Sequence, residues 1–221
     1  MTRLWGVRPR WRTEVLGDFF CPGCGGDRNY RRQRGRRWLR LFGTPLLPLG
    51  PELGSVQCTN CHGRYGVESL EQLTSGRLTA LLRDAQYTIA LAMLAAGGTG
   101  TAAARAEACE LIRSAGFEEY GEAQVLAALA ALIGLDPVEP LALGGPGDGL
   151  LGELRATLKP LAPHLAQQGR ERLVLSGARV ALADGRYVPQ ERAALATVGG
   201  CLNLSPEAVE RLLAAAARTT R

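Results

Sequence analysis

The sequence predicts a mainly α-helical protein whose helical part has two related halves and is preceded by a small β module. Three observations support this fold class. Two Cys-x-x-Cys pairs lie within the first 66 residues, and near residue 67 the composition changes from Gly, Pro and Arg to Ala and Leu. Beyond that point, apolar residues recur at helical spacing. We therefore predict two domains, which a chain of 221 residues is long enough to support.

The two cysteine pairs have the spacing of a structural metal site. One pair encloses Pro-Gly and the other encloses Thr-Asn. Each short turn can direct two thiolates at one ion, and zinc accepts four thiolates tetrahedrally without an open position. A redox dithiol or two unconnected pairs are the alternatives. We expect one structural zinc ion (Zn²⁺) per chain, bound by Cys21, Cys24, Cys58 and Cys61.

Between the two pairs, the sequence predicts a β-hairpin with one packed face. Residues 30–42 combine arginines with aromatic and apolar side chains, a Gly-Thr-Pro turn follows, and leucines then alternate with prolines. This order resembles a small bacterial zinc-ribbon family, in which a basic strand, a Trp and an LFxxPLxPL segment lie between the two cysteine pairs. We therefore predict a zinc ribbon at residues 18–66, after a basic extension at residues 1–17. The matching residues are Trp38, Leu41, Phe42, Pro45, Leu46, Leu47, Pro48 and Leu49, followed by Cys58 and Cys61.

The N-terminal part of the chain is strongly basic. Residues 1–66 contain 12 arginines and four acidic residues, whereas the rest of the chain contains 14 basic and 17 acidic residues. Arginines interleaved with aromatic rings can bind phosphates while the rings stack on bases. The alternatives are a solvent-exposed strand face, an anionic membrane surface or an acidic protein partner. The candidate contact residues are Arg31, Arg32, Arg34, Arg36, Arg37 and Trp38.

No segment of the sequence approaches the roughly 20 uninterrupted apolar residues of a transmembrane helix. The apolar stretch from residue 78 to 96 contains Arg83 and Asp84, and no apolar run with a cleavage site follows the basic N-terminus. We therefore expect a cytoplasmic protein. In a reducing compartment cysteines favour metal binding over disulfides, and we expect the remaining two, Cys109 and Cys201, to be core thiols.

Beyond a connector at residues 67–77, we predict a helical domain at residues 78–218. Apolar residues recur there at the i, i+3, i+4 and i+7 spacing of amphipathic helices. The last helix is capped by Ser205 and begins with Pro206 and Glu207. The clearest periodic sets are Tyr87, Ala90, Leu91 and Leu94; Val125, Ala128, Leu129 and Leu132; and Val209, Leu212, Leu213 and Ala216.

The helical domain is predicted to contain a diverged repeat. A shift of 87 residues places Gly98 on Gly185, and both halves then show a helix, a glycine turn and a second helix. Such a duplicated unit can bury its apolar face against its own copy. A segment rich in proline and glycine, which are unsuited to a helix interior, separates the copies. The halves are predicted at about residues 78–134 and 150–218, with the linker at residues 135–149.

The second half carries a recognisable motif. Residues 183–192 read Ala-Asp-Gly-Arg-Tyr-Val-Pro-Gln-Glu-Arg, and residues 202–207 contain Leu-x-Leu-Ser-Pro-Glu. These segments resemble the TerB-like tellurite-resistance family, in which an Ala-Asp-Gly turn ends one helix and a Pro-Glu-Glu-Arg-like sequence begins the next. The resemblance covers about residues 78–218. It implies a compact all-helical fold of two related halves and a link to tellurite resistance, stress responses and divalent-metal sensing.

Two acidic residues of this motif, Asp184 and Glu191, are candidate ligands of a second cation. Carboxylate oxygens suit a hard ion such as Ca²⁺, which needs several of them. Both acids also have structural roles available, because Asp184 can accept hydrogen bonds from turn amides and Glu191 stands near a helix start. The equivalent turn in the first half has Gly97 where an acid is expected. Since half of a symmetric acidic site is missing, we do not expect strong binding of Ca²⁺ or another divalent cation.

The sequence lacks the patterns typical of an enzyme. It contains no Ser/His/Asp order, no phosphate-binding glycine motif before a helix, and two histidines, His62 and His164. We expect His62 to be a surface residue, because four cysteines already complete and close the zinc site. The leading hypothesis is a non-catalytic interaction protein with an unidentified protein partner in a bacterial stress or tellurite-resistance assembly. The alternative is a nucleic-acid-binding protein that uses the arginine-rich hairpin.

Overall fold

The computed structural model describes residues 5–41, 44–97, 99–133 and 148–219. The chain divides into two compact units, residues 1–78 and residues 79–221. Each unit is built from one type of secondary structure over most of its length, β in the first and α in the second. The mainly α fold class predicted from the sequence is thereby confirmed.

The N-terminal unit is an antiparallel sheet in which each strand pairs with the next along the chain. The predicted hairpin is present, since Tyr30 pairs with Cys58 and Leu41 pairs with Thr44. Its turn residues Phe42 and Gly43 lie outside the described residues. The strands are β1 (Trp5–Cys21), β2 (Gly26–Leu41), β3 (Thr44–Cys58) and β4 (Arg64–Tyr65).

Strand β1 differs from the sequence-based expectation of a basic extension before the ribbon. It starts at Trp5 and pairs with β2 along its whole length, from Trp5 opposite Leu41 to Cys21 opposite Gly26. Without β1, the edge of β2 would expose a row of unpaired backbone N–H and C=O groups. Pro9 is compatible with this position because β1 is an edge strand, where a missing N–H is tolerated.

The described side chains of the N-terminal unit form one buried cluster. It consists of Phe19, Val56 and two of the cysteines, Cys21 and Cys58, all buried. The ring of Tyr30 packs edge-on against Phe19 with a centroid distance of 5.6 Å. A short 3-10 helix at Val67–Glu71 follows β4. Two of these four buried residues belong to the Cys-x-x-Cys pairs.

Seven α-helices and a short 3-10 helix at Ala162–His164 occupy the described part of the chain from residue 75 onward. The predicted periodic residues supply their buried faces, including Leu91 in the first helix, Val125 in the third and Leu213 in the last. Ser205 caps the last helix as predicted, since its Oγ accepts the N–H of Ala208 at 3.3 Å. The helices are α1 (Ser75–Gly97), α2 (Ala102–Ser114), α3 (Glu122–Ile133), α4 (Asp148–Leu158), α5 (Gln167–Leu182), α6 (Pro189–Cys201) and α7 (Pro206–Thr219).

One pair of helices, α2 and α6, has the 87-residue shift of the predicted repeat. Helices α2 and α6 start at residues 102 and 189 and end at residues 114 and 201, so both ends are 87 residues apart. Helix α5 packs against α2, α6 and α7. The predicted linker at residues 135–149 lies outside the described residues, except that Asp148 and Gly149 begin α4. No helix of the described residues has both the length and the apolar character to cross a bilayer.

Candidate metal centre

The four paired cysteines meet where the strands of the N-terminal unit end. Cys21 is the last residue of β1 and Cys58 is the last residue of β3, while their partners lie in the turns that follow. The first turn is closed by the N–H groups of Cys24 and Gly25, which donate to the carbonyl of Cys21 at 3.2 and 2.9 Å. In the second turn the N–H of Cys58 donates to the carbonyl of Gly63 at 3.0 Å. These turns point all four thiols at one place.

The sulfur atoms have the separations that a tetrahedral ion requires. All four Sγ atoms lie within 4.8 Å of one another. The distance is 3.7 Å between Cys21 and Cys61 and 4.0 Å between Cys24 and Cys58. A zinc ion with bonds of about 2.3 Å to sulfur places tetrahedral ligands about 3.8 Å apart. The cluster therefore fits a metal ion held by four thiolates, and all four cysteines are free of disulfides.

Three hydrogen-bond donors face the sulfur atoms. The Tyr65 hydroxyl lies 3.5 Å from the Sγ of Cys21 and 3.7 Å from the Sγ of Cys61. The backbone N–H of Asn60 donates to Cys58 at 3.4 Å, and its side-chain amide donates to Cys24 at 3.5 Å. Each thiol is therefore near at least one donor. Donors of this kind stabilise thiolates and orient metal ligands.

Two glycines make room for the hydroxyl of Tyr65. A Cβ on Gly63 would lie 2.7 Å from that oxygen, and a Cβ on Gly23 would collide with it. Gly23 belongs to the first cysteine pair and Gly63 follows the second. The sequence thus leaves space for Tyr65 from both sides, although no spacing rule for metal sites identifies this tyrosine.

The thiols differ in acidity. Burial raises the pKa of Cys21, but hydrogen bonds, first from Tyr65 and then from the Cys24 backbone, outweigh burial and lower the pKa to about 6. The Gly63 backbone and Tyr65 lower the pKa of Cys61, whereas burial raises the pKa of Cys58. The pKa of Tyr65 is raised because its hydroxyl donates to Cys21 and Cys61. Cys21 and Cys61 therefore favour thiolate, the form of cysteine that binds metals.

The remaining candidates of the N-terminal unit lie outside this cluster. His62 is exposed and has a left-handed φ of 56°. Of the arginine run in β2, Arg31 and Arg34 are exposed and Arg32 is half-buried. The side chains of Arg36, Arg37 and Trp38 lie outside the described part, although the backbone pairing of these residues is given.

The acidic pair of the helical unit has structural partners. Glu191 is 3% exposed, and its Oε2 accepts the N–H of Val188 at 2.9 Å, at the start of α6. Burial raises the pKa of Glu191 to about 7, and nearby Asp184 acts in the same direction. Asp184 is exposed, and its Oδ2 accepts the hydroxyl of Thr101 at 3.3 Å. Glu191 therefore supports the start of α6, and Asp184 connects the turn after α5 to Thr101, the residue that precedes α2.

The carboxyl group of Glu191 lies against Gly97, a residue of the first half that has no side chain. A Cβ on Gly97 would collide with its Oε1. Gly97 is the position that corresponds to Asp184 after the shift of 87 residues. Within residues 5–41, 44–97, 99–133 and 148–219, the four cysteines are the one group of at least three side chains arranged to hold a metal. The candidate cation ligands Asp184 and Glu191 are not part of any such group.

The two unpaired cysteines are buried, as the sequence predicts. Cys109 lies in α2 and Cys201 ends α6. Burial raises the pKa of both thiols. They behave as small apolar core residues rather than as reactive groups.

Comparison with known proteins agrees with the motif read in the second half. Residues 152–214 match the family model described as tellurite resistance protein TerB. The match begins within α4 and ends within α7. No curated protein and no solved structure is similar enough to match. The C-terminal segment of the chain is thus similar to the TerB family over residues 152–214, and it follows a β region whose four clustered cysteines are consistent with a zinc ribbon.

Proposed function

We propose that this chain is a non-catalytic interaction protein whose N-terminal unit is a zinc ribbon and whose TerB helices bind a protein partner. The four-cysteine cluster is the observation that carries the proposal. Its sulfur separations of 3.7 and 4.0 Å suit one tetrahedral zinc ion. A four-thiolate site has no open coordination position for water or substrate, so it stabilises structure rather than supplying catalysis.

The TerB match supports the second part of the proposal. It connects the helical unit with a family named for tellurite resistance. We place the protein in a bacterial stress or tellurite-resistance assembly, in the cytoplasm, where thiols stay reduced and available for zinc. The partner is a protein that recognises the helical surface. In this arrangement the ribbon is a second, metal-dependent docking module.

Elemental analysis of the purified protein tests the metal. We expect one zinc per chain and no calcium after dialysis. Cys58→Ser removes one of the four ligands and should lose the zinc. Cys109→Ala, which changes a buried thiol of the helical unit, should retain it. If the wild-type protein holds no zinc when purified under reducing conditions, or if Cys58→Ser keeps a full equivalent, the zinc-ribbon proposal is wrong.

A second candidate function is nucleic-acid binding by the arginine-rich hairpin. The pairing of β1 with β2 favours this candidate, because it brings further arginines opposite those of the hairpin.

A further inference from the structure

Three aromatic rings of the helical unit contact one another near its surface. The ring centroids of Tyr87, in α1, and Phe117 lie 5.3 Å apart, and those of Phe117 and Tyr120 lie 5.5 Å apart. Tyr87 and Tyr120 complete the triangle edge to face, with a centroid distance of 5.8 Å. All three side chains are half-buried, so part of each remains accessible to solvent. The cluster lies outside residues 152–214, which match the TerB family.

The turn between α2 and α3 carries two of these rings and two acids. The N–H of Tyr120 donates to the carbonyl of Phe117 at 3.0 Å, which closes the turn. Glu118 and Glu119 are its two central residues, and both are exposed. The turn therefore packs its aromatic side chains against Tyr87 and leaves two carboxylates in solvent.

A third acid, Asp84, joins the two acids of the turn. It is exposed and stands three residues before Tyr87 in α1, so the two side chains share a helix face. The surface formed in this way is called the acidic aromatic patch below. It consists of Tyr87, Phe117, Tyr120, Asp84, Glu118 and Glu119.

The carboxylates of the patch lack ion pairs, unlike the other acids of the first half. Residues 78–134 contain six acidic residues. Three of them pair with arginines: Glu107 with Arg179, Glu110 with Arg113, and Glu122 with Arg105. The other three are the acids of the patch, and none of them forms an ion pair within residues 5–41, 44–97, 99–133 and 148–219. Their negative charge therefore remains available to a partner.

One guanidinium group already rests on the rings. Cζ of Arg83 lies 4.7 Å from the ring centroid of Phe117, and its Nη2 donates to the carbonyl of Gly116 at 2.7 Å. Arg83 is the one basic residue within residues 79–97 and 114–124. Three carboxylates and this guanidinium give the surface a formal charge of −2. Arg83 also shows the chemistry that the rings accept, because a guanidinium is attracted to the face of an aromatic ring.

These features favour an arginine-rich protein segment over other ligands. Arginine pairs with carboxylates and also stacks on aromatic rings, and tyrosine and arginine are both enriched at the centres of protein interfaces. A nucleic acid or an anionic membrane would be repelled by the negative charge. A hard cation needs several converging oxygens, and among the described residues the four cysteines are the one group arranged to hold a metal.

We infer that the acidic aromatic patch binds an arginine-rich segment of a protein partner, whose guanidinium groups contact both the rings and the carboxylates. The inference rests on the proposed function, in which the helices bind a protein. It adds the surface that makes the contact and the chemistry of the bound segment. It also places the contact in the first half of the helical domain, which the family match does not cover.

The test uses the full-length, zinc-loaded chain and two fluorescein-labelled peptides of equal charge, one of five Arg-Gly repeats and one of five Lys-Gly repeats. Fluorescence anisotropy measures both affinities. The arginine peptide should bind about threefold more tightly, because its guanidinium groups stack on the rings as well as pairing with carboxylates. Glu118→Gln/Glu119→Gln should weaken the binding of both peptides about fivefold.

The rings are tested separately at Tyr120. Tyr120→Leu removes the aromatic face and should abolish the preference for the arginine peptide, whereas Tyr120→Phe keeps the ring and should retain it. Circular dichroism shows whether each variant is folded. Equal affinities of the wild-type chain for the two peptides would contradict stacking on the rings and overturn the inference.

A matched control separates the patch from general electrostatic attraction. Glu71→Gln/Glu153→Gln removes the same charge from exposed positions outside the patch and should leave both affinities unchanged. An equal loss of affinity in this control and in Glu118→Gln/Glu119→Gln would overturn the inference. Zinc content is measured on every sample. A zinc-loaded chain that binds neither peptide also overturns the inference, while the proposed function, which is tested by its zinc content, still stands.

Discussion

At the scale of single residues, the most informative side chain is Tyr65. Its hydroxyl lies within 3.7 Å of two ligand sulfurs, and Gly23 and Gly63 leave the space in which it sits. A donor to a metal thiolate disperses part of the negative charge of the sulfur and fixes its orientation. Tyr65 therefore extends the metal centre beyond the four cysteines.

Tyr65→Phe removes this donor and keeps the ring. We expect the affinity for zinc to fall about tenfold, the lower end of the usual effect of groups that support metal ligands. Competition with a chromophoric chelator measures this change. Tyr30→Phe is the matched control, because Tyr30 packs on Phe19 in the same unit and its hydroxyl has no sulfur among its described contacts. Equal affinities for wild type and Tyr65→Phe would contradict the role of the hydroxyl.

Glu191 makes the stability of the helical unit depend on pH. Burial raises its pKa in the folded protein to about 7, from an ordinary value of 4.5. Between these values the folded state holds the proton and the unfolded chain has released it. Stability must therefore fall as the pH rises through this window. Above about pH 7 the carboxylate is buried as an anion.

Glu191→Gln removes this dependence, since the amide oxygen can still accept the N–H of Val188 but cannot ionise. The unfolding free energy of the variant relative to wild type should increase by on the order of 2 kcal/mol between pH 4.5 and pH 8. Urea unfolding followed by circular dichroism at both pH values measures this difference. A constant difference across the window would show that Glu191 has an ordinary pKa.

At the scale of secondary-structure elements, Gly177 shows how closely α5 packs on its neighbours. A Cβ at this position would lie 2.8 Å from Cγ2 of Ile89 in α1 and 3.0 Å from Cδ2 of Leu195 in α6. Gly152 in α4 provides the contrast, because a Cβ there would have no heavy atom within 4 Å. Both glycines are helical, so they share the same conformational entropy cost.

Gly177→Ala should destabilise the helical unit by about 1 kcal/mol, because overpacking of about 1 to 3 kcal/mol exceeds the helix-propensity gain of about 0.5 to 1 kcal/mol. Gly152→Ala should stabilise it by about 0.5 to 1 kcal/mol. Thermal unfolding of the two variants measures both the expected loss and the expected gain of stability. If Gly177→Ala proves as stabilising as Gly152→Ala, the close approach of α5 to α1 and α6 is incorrect.

Elements also show what the sequence can and cannot predict. Helix positions followed from apolar spacing, and the 87-residue shift matched both ends of α2 and α6. The cysteine cluster was predictable because Cys-x-x-Cys spacing imposes its own local geometry. Strand β1 was missed, because pairing with β2 is a long-range contact that alternating Arg, Pro and Trp residues do not specify. Tyr65 was missed for the same reason, since its role depends on two turns meeting in space.

At the scale of the whole molecule, the two units differ in what stabilises them. The described side chains of the N-terminal unit give a core of four buried residues, and Cys21 and Cys58 are two of them. The helical unit instead buries many leucines, alanines and valines along α1 to α7. Because two of these four residues are proposed zinc ligands, we expect metal binding to contribute more to the stability of the first unit than to that of the second.

Removal of zinc should unfold one unit and leave the other. Zinc binding in small modules is worth on the order of 10 kcal/mol and is largely folding free energy. A chelator should therefore abolish amide protection within residues 5–78, while the helical signal at 222 nm and the protection of α2 to α7 remain. Hydrogen exchange followed by mass spectrometry resolves the two regions, and Cys24→Ser should reproduce the effect without chelator. Protection of β1 to β3 that survives chelation would show that the sheet folds without metal. Loss of protection in both units would show that the helices depend on the ribbon.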